Sequence, residues 1–214
     1  LSNREMVELS PCISSGVIVT KPTNTNSIFE LTESIEAPLD LKSHLPFRIA
    51  VVSNLLALNR DWAIRNNCEL DPREMRVLIN IGSYMPIKSA DIAYQSKMDS
   101  YTVSRAVKKL IAEGLVDAEQ DPVKRNVKNL VLTDTGTRLY RQITSRMQHR
   151  SDELEACLNP LETELLFNIL AKLESQAQGI LAKQAQDFMD EGLSAPADQK
   201  ELIRWYKKSQ ADNA

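Results

Sequence analysis

Between residues 100 and 109 the chain carries Ser100, Tyr101, Thr102, Ser104, Arg105, Lys108 and Lys109. Short hydroxyls, a phenol, a guanidinium and two ammonium groups on one stretch are the groups that meet base edges and phosphates. A DNA major groove admits one α-helix, and an Arg there reaches both acceptors of a guanine. On this reading Ser100, Tyr101, Thr102, Ser104 and Arg105 face bases, while Lys108 and Lys109 face the sugar–phosphate backbone. The open N–H groups of the helix start are expected to attract phosphate as well. The alternative reading of the same face is a solvated helix side.

No catalytic chemistry competes with this set. The two histidines, His44 and His149, fall in different segments, and no HExxH, CxxC, GxSxG, P-loop or dinucleotide glycine pattern is present. An enzyme is therefore not expected, nor a cofactor or metal. Cys12, Cys68 and Cys157 are odd in number and widely spaced, which gives no ligand or disulfide pattern. Cys157 sits on a helical stripe and is expected to be buried. His149, between Arg146 and Arg150, is expected to face solvent.

The basic side needs a helix whose other side is buried. Val103, Ala106, Val107 and Leu110 fall at i, i+3, i+4 and i+7, one apolar stripe. Asp99 or Ser100 caps that helix and Gly114 ends it. Before it, Asp71, Pro72 and Glu74 form a capping box for a helix carrying Met75, Val77, Leu78 and Ile81. Residues 84–88 read as extended. Ser89 then caps a short helix with Ile92 and Ala93 inward. After it, residues 115–120 and 127–133 read as two strands joined by a turn with a basic tip. Short helix, turn, helix and hairpin make a winged helix-turn-helix. Lys88 and Ser89 at the entry helix, and Lys124, Arg125 and Lys128 on the hairpin, join the candidate DNA contacts.

Long helices flank this lobe. One is expected from Leu41 to about Asn66, carrying Leu41, Leu45, Ile49, Val52, Leu55 and Leu56. Another starts at Thr133 or Asp134 and runs through Leu139, Ile143, Met147 and Leu154. Asn159, Pro160 and Glu162 restart the chain as a final helix carrying Leu161, Leu165, Ile169, Leu173, Ala177, Ile180 and Leu181. The fold class is mainly α, a winged helix-turn-helix with a small β-hairpin wing and long terminal helices. Residues 1–38 read as an N-terminal extension, with a short strand at 16–20 or disorder as its alternatives. Residues 39–68 and 134–190 make a helical dimerisation region, 69–133 the DNA-binding lobe, and 191–214 a polar tail with a short helix around 201–208.

Composition fits this assignment. The 214 residues are 43% hydrophobic and 26% charged, as in a soluble globular protein. No apolar run is long enough for a membrane span, and no secretory signal opens the chain, so the cytoplasm is the expected address. The net charge is −3. Residues 97–128 hold seven basic and five acidic groups, +2, while the remainder holds 19 and 24, −5. Glu113, Asp117, Glu119 and Asp121 fall at the far helix end or in the hairpin stems, away from the reading face.

Residues 89–136 resemble the winged-helix segment of the MarR family of bacterial transcription regulators. The resemblance rests on Asp121, Pro122 and Arg125 in the wing, then Leu132, Thr133 and Gly136 at the start of the next helix. Lys124 stands where that family often has Asp, and Asn126 where it often has a second Arg. The resemblance spans about 41–185. It implies a homodimer joined through the terminal helices, double-stranded DNA with a pseudo-palindromic operator as partner, and release by a small, often aromatic or phenolic, effector.

The sequence offers its own support for the dimer, since the apolar stripes exceed what a small lobe covers. Leu45, Leu158, Leu161, Leu165 and Ile169 are the candidates. His44, Arg48, Trp62, Arg65, Tyr84 and Tyr94 are candidates for the effector site, with Arg48 or Arg65 a candidate partner for a carboxylate. The function expected is thus a dimeric DNA-binding regulator, a repressor relieved by a small molecule. Two alternatives are a redox-responsive regulator sensing through Cys68 and a winged-helix module for protein contact alone.

Overall fold

A computed structural model describes residues 30–57, 69–120, 128–193 and 197–212. The chain divides into two compact units, Leu1–Val51 and Val52–Ala214. The expected strand at 16–20, Cys12, Trp62, Arg65, Cys68, Lys124 and Arg125 lie outside the described residues.

In the first unit a turn precedes helix α1, Leu45–Leu55, which spans the division. The sequence pattern starts this helix at Leu41, but Ser43 donates its N–H to the Asp40 carbonyl at 3.2 Å. The Asp40 carboxylate also accepts from the Lys42 amide at 3.0 Å. That turn holds the helix back until His44, whose carbonyl accepts the first helical bond from Arg48. Helical geometry stops at Leu55, short of the expected Asn66, and residues 58–68 are outside the described set. No residue of α1 is buried.

The second unit holds the lobe. Helix α2, Pro72–Tyr84, opens with the expected capping box: Asp71 accepts from the Arg73 and Glu74 amides, and Glu74 accepts from the Asp71 amide at 2.9 Å. Helix α3, Ser89–Ser96, is capped by Lys88 rather than Ser89, and no side chain bonds its first amides. The extended backbone of Lys88 makes it the boundary and moves Ser89 inside. Helix α4 is Ser100–Ala112, with Asp99 at its cap and Gly114 at φ 67° just past its end. Strands β1, Val116–Gln120, and β2, Lys128–Leu132, pair antiparallel with Val116 opposite Leu132 and Gln120 opposite Lys128. Ile87 bridges to Leu130, so the extended segment before α3 lies along the hairpin.

The core sits where these elements meet. Val77, Leu78, Ile81, Ile92, Val103, Leu110 and Val116 are fully buried and form one cluster with Leu130 and Ile143. Each such side chain contributes about 1.5–3 kcal/mol over exposure. Every position named from the stripes of α2, α3 and α4 is in this core.

Helix α5, Asp134–Glu155, packs Ile143 into the cluster with Leu139 and Met147 half-buried against it. Leu154, on the same expected stripe, is 50% exposed. Helix α6, Pro160–Asp190, begins with the expected Asn159–Glu162 capping box. Its buried residues are Gln178, Ala182 and Ala185, all in the second half. Of its apolar stripe, Leu161, Leu165, Ile169, Ile180 and Leu181 are exposed in the single chain, Leu161, Leu165 and Ile169 being the residues expected at a dimer seam. Cys157, expected to be buried, is exposed, and its Sγ donates to the Leu154 carbonyl. The chain leaves helical order between α5 and α6 there, which turns the thiol out of the stripe.

The tail is more structured than its polarity suggests. Helix α7, Ala197–Asp212, is 16 residues long and packs along α6 and against the lobe.

Candidate nucleic-acid interface

Helix α4 is two-faced. Val103, Ala106, Val107 and Leu110 are buried, while Ser100, Tyr101, Ser104, Arg105 and Lys108 are exposed. Tyr101 is 73% exposed, a large aromatic on an otherwise polar surface. The Arg105 guanidinium lies 5.8 Å from its ring centroid, one helical turn away. Thr102 is half-buried at the edge of this face. The five exposed side chains present donors, acceptors, one ring and two cations on a single helical surface, which suits a groove edge.

The helix start differs from the expectation of open amides. Asp99 accepts from the Thr102 amide at 2.8 Å, and its hydrogen bonds with Thr102 lower its carboxyl pKa. The Ser100 amide donates to Glu201 of α7 at 3.2 Å. Two carboxylates of the chain therefore occupy amides expected to attract phosphate, which leaves the exposed side chains of α4 as the candidate contact groups.

Lys109 is the second correction. Its Nζ lies 2.7 Å from Glu74 Oε2 and 3.7 Å from Glu113 Oε1. The hydrogen bond to Glu74 raises its pKa above the ordinary lysine range. Lys109 ties α4 to the first turn of α2 and leaves Lys108 as the exposed cation of that pair. Glu74 is almost fully buried, so this ion pair belongs to the frame of the lobe.

Lys88 and Ser89 are half-buried at the start of α3, and Lys128 is exposed on β2 opposite Gln120. The hairpin leaves α4 through Gly114 and returns through Thr133, whose Oγ1 donates to the Gly114 carbonyl at 2.7 Å. The same oxygen accepts from the Gly136 amide at 3.0 Å. The Leu-Thr-x-x-Gly pattern thus locks the hairpin base onto the end of α4 and the start of α5.

The effector candidates are not brought into one site within the second unit. Tyr84 is 57% exposed at the end of α2. Tyr94, on α3, has Lys97 Nζ at 4.1 Å and Lys208 Nζ at 4.5 Å from its ring centroid. His44 and Arg48 belong to the first unit, where both are exposed or half-exposed. Of the dimerisation candidates, Leu45, Leu161, Leu165 and Ile169 are exposed and Leu158 is half-buried.

Sequence reading missed the role of α7. Trp205 packs against the lobe core, Lys208 pairs with Asp91 at 3.0 Å, and Glu201 reaches α4. The signal was present in residues 201–208, where Leu202, Ile203, Trp205 and Tyr206 alternate with Arg204, Lys207 and Lys208 at helical spacing.

Three helices, a two-stranded wing and an exposed polar face on the last of the three define a winged helix-turn-helix. Residues 69–125 match the model of the MarR family. No curated protein matches the sequence. Solved structures share the fold. A MarR/EmrR family transcriptional regulator from Acinetobacter sp. ADP1 is 22% identical, with TM-score 0.59, over 65% of this chain and 98% of that one. The PcaV transcriptional regulator from Streptomyces coelicolor, in complex with its natural ligand, is 21% identical, with TM-score 0.56, over 66% and 99%. MepR of S. aureus, in a DNA complex, is 20% identical, with TM-score 0.56, over 62% and 98%.

Proposed function

We propose that this chain is a transcriptional regulator that binds duplex DNA as a homodimer, reads a two-fold operator with α4, and represses until a small effector releases it. The observation that carries the reading is the split of α4 into a buried apolar side and an exposed side of Ser100, Tyr101, Ser104, Arg105 and Lys108. Arg105 is the base-reading residue and Lys108 a phosphate contact. Lys128, with Lys124 and Arg125 between the strands, supplies the wing contact.

The dimer is supported by the uncovered first half of α6. Leu161, Leu165, Leu166, Phe167, Ile169 and Leu170 are each more than 40% exposed in the single chain. A contiguous apolar run of that kind marks an interface. Two reading helices about 34 Å apart then engage successive major grooves. The effector step is supported by fold likeness to PcaV, solved with its natural ligand. A ligand releases DNA only to the extent that it prefers a dimer with the wrong helix spacing.

The test is fluorescence anisotropy on the DNA upstream of the chain's own gene, across a salt series. The wild type is expected to bind with a steep salt dependence. Arg105→Ala is expected to cost about 1–3 kcal/mol at one base pair and relax preference there. Arg125→Ala is expected to weaken all sequences alike. Absence of duplex binding even at low salt rejects the reading in favour of a protein-contact module.

A further inference from the structure

Helix α7 is fastened to the reading lobe at three points. Glu201, with its side chain 10% exposed, accepts from the Ser100 amide through Oε2 at 3.2 Å. Lys208 pairs with Asp91 at 3.0 Å and lies over the Tyr94 ring. Trp205 packs against the core cluster. The other oxygen of Glu201, Oε1, holds the guanidinium of Arg204 at 3.5 Å. One carboxylate therefore joins the first amide of α4 to an arginine, and sets that arginine at the reading end of the helix.

Arg204 is not consumed there. Its side chain is 71% exposed, and Glu201 engages it through a single long contact. A guanidinium keeps further donors in a fixed fork that matches a phosphate. Lys200 and Lys207, one turn to either side, are exposed on the same face of α7. Docking of α7 leaves Tyr101, Ser104, Arg105 and Lys108 exposed, so the helix stands beside the reading face and does not cover it.

We propose that Arg204, seated by Glu201 at the start of α4, is a DNA-phosphate contact contributed by the C-terminal helix, with Lys200 on the same face. The contact rests on the DNA reading of α4 given above. It divides the labour at this helix start: Glu201 satisfies the backbone amide, and Arg204 restores the positive charge that the carboxylate would otherwise cancel.

The experiment uses the full chain and mixed-sequence duplex DNA, with the binding constant followed against salt. Arg204→Ala is expected to weaken binding several-fold and to reduce the slope of log K against log salt by about 0.9, one phosphate contact. Arg204→Lys is expected to keep most of the slope, and thermal melts of both variants to match the wild type. An Arg204→Ala chain with unaltered slope and affinity overturns the contact. Tighter binding by that variant overturns it too, since α7 would then be an obstruction. If the wild type itself shows no salt-dependent binding, the DNA reading of α4 falls first and this contact with it.

Discussion

Thr133 serves two turns of chain at once. Its hydroxyl donates to Gly114 and accepts from Gly136, and its amide donates to the Leu115 carbonyl at 3.1 Å. Gly136 is required for a different reason: a Cβ there would overlap the Leu115 carbonyl, which is backbone and has nowhere to go. Gly136→Ala is expected to destabilise the lobe by at least about 2 kcal/mol in urea or thermal unfolding. Asp99 acts on a smaller scale. Removing its cap in Asp99→Ala is expected to cost about 1 kcal/mol. Its carboxyl pKa is lowered by the bonds to Thr102, so its stabilisation is complete above the usual carboxylate range and disappears as pH falls through the lowered value. Between neutral and strongly acid pH the wild type should therefore lose more melting temperature than Asp99→Asn, and equal losses would remove the charge from the account. Both residues were legible as a cap and as a motif. The clash at Gly136 was not, because it depends on where Leu115 comes to lie.

The helices of the lobe were readable because each carries its own punctuation. Asp71 with Glu74, Asn159 with Glu162, and Gly114 mark ends by local hydrogen bonding that any solvent-exposed chain would use. α1 was overextended because the apolar spacing from Leu41 continues through a turn that Asp40 imposes by bonding to Lys42. Lys109 was misplaced for a tertiary reason: Glu74 is distant in sequence, and a lysine on a polar face looks the same whether it pairs with protein or with phosphate. The helix around 201–208 was expected, but the docking of α7 was not, for the same cause, since its partners are Ser100, Asp91 and Tyr94. A chain ending after Leu193 is expected to fold its winged helix but to exchange the Ser100 amide faster in hydrogen-exchange mass spectrometry, while the Thr102 amide, held by Asp99, stays protected. Unchanged exchange over residues 100–102 would mean that Glu201 contributes nothing in solution.

On the scale of the whole molecule, the uncovered half of α6 sets the main expectation. Leu165→Asp, with the side chain 56% exposed in the single chain, should leave the monomer fold intact and shift the mass seen by light scattering from dimer to monomer. DNA affinity should fall with it, because two linked reading helices gain by local concentration what one cannot. A variant that keeps the dimer mass would remove α6 from the interface. The candidate reading face was visible from types and spacing alone, since α4 buries four residues at one period and leaves the others exposed or half-buried. The arginine from α7 was not, because it joins that face through a fold-back of about a hundred residues. The order of synthesis gives that fold-back a further meaning. Apart from Trp205, the residues of the lobe core all precede Gln148, so the winged helix has its packing partners while the ribosome is still adding α6. Ser100 waits for Glu201. A nascent or prematurely terminated chain thus has a folded winged helix with an open Ser100 amide and no Arg204 beside it, chemically distinct from the released protein at the helix start proposed to meet DNA.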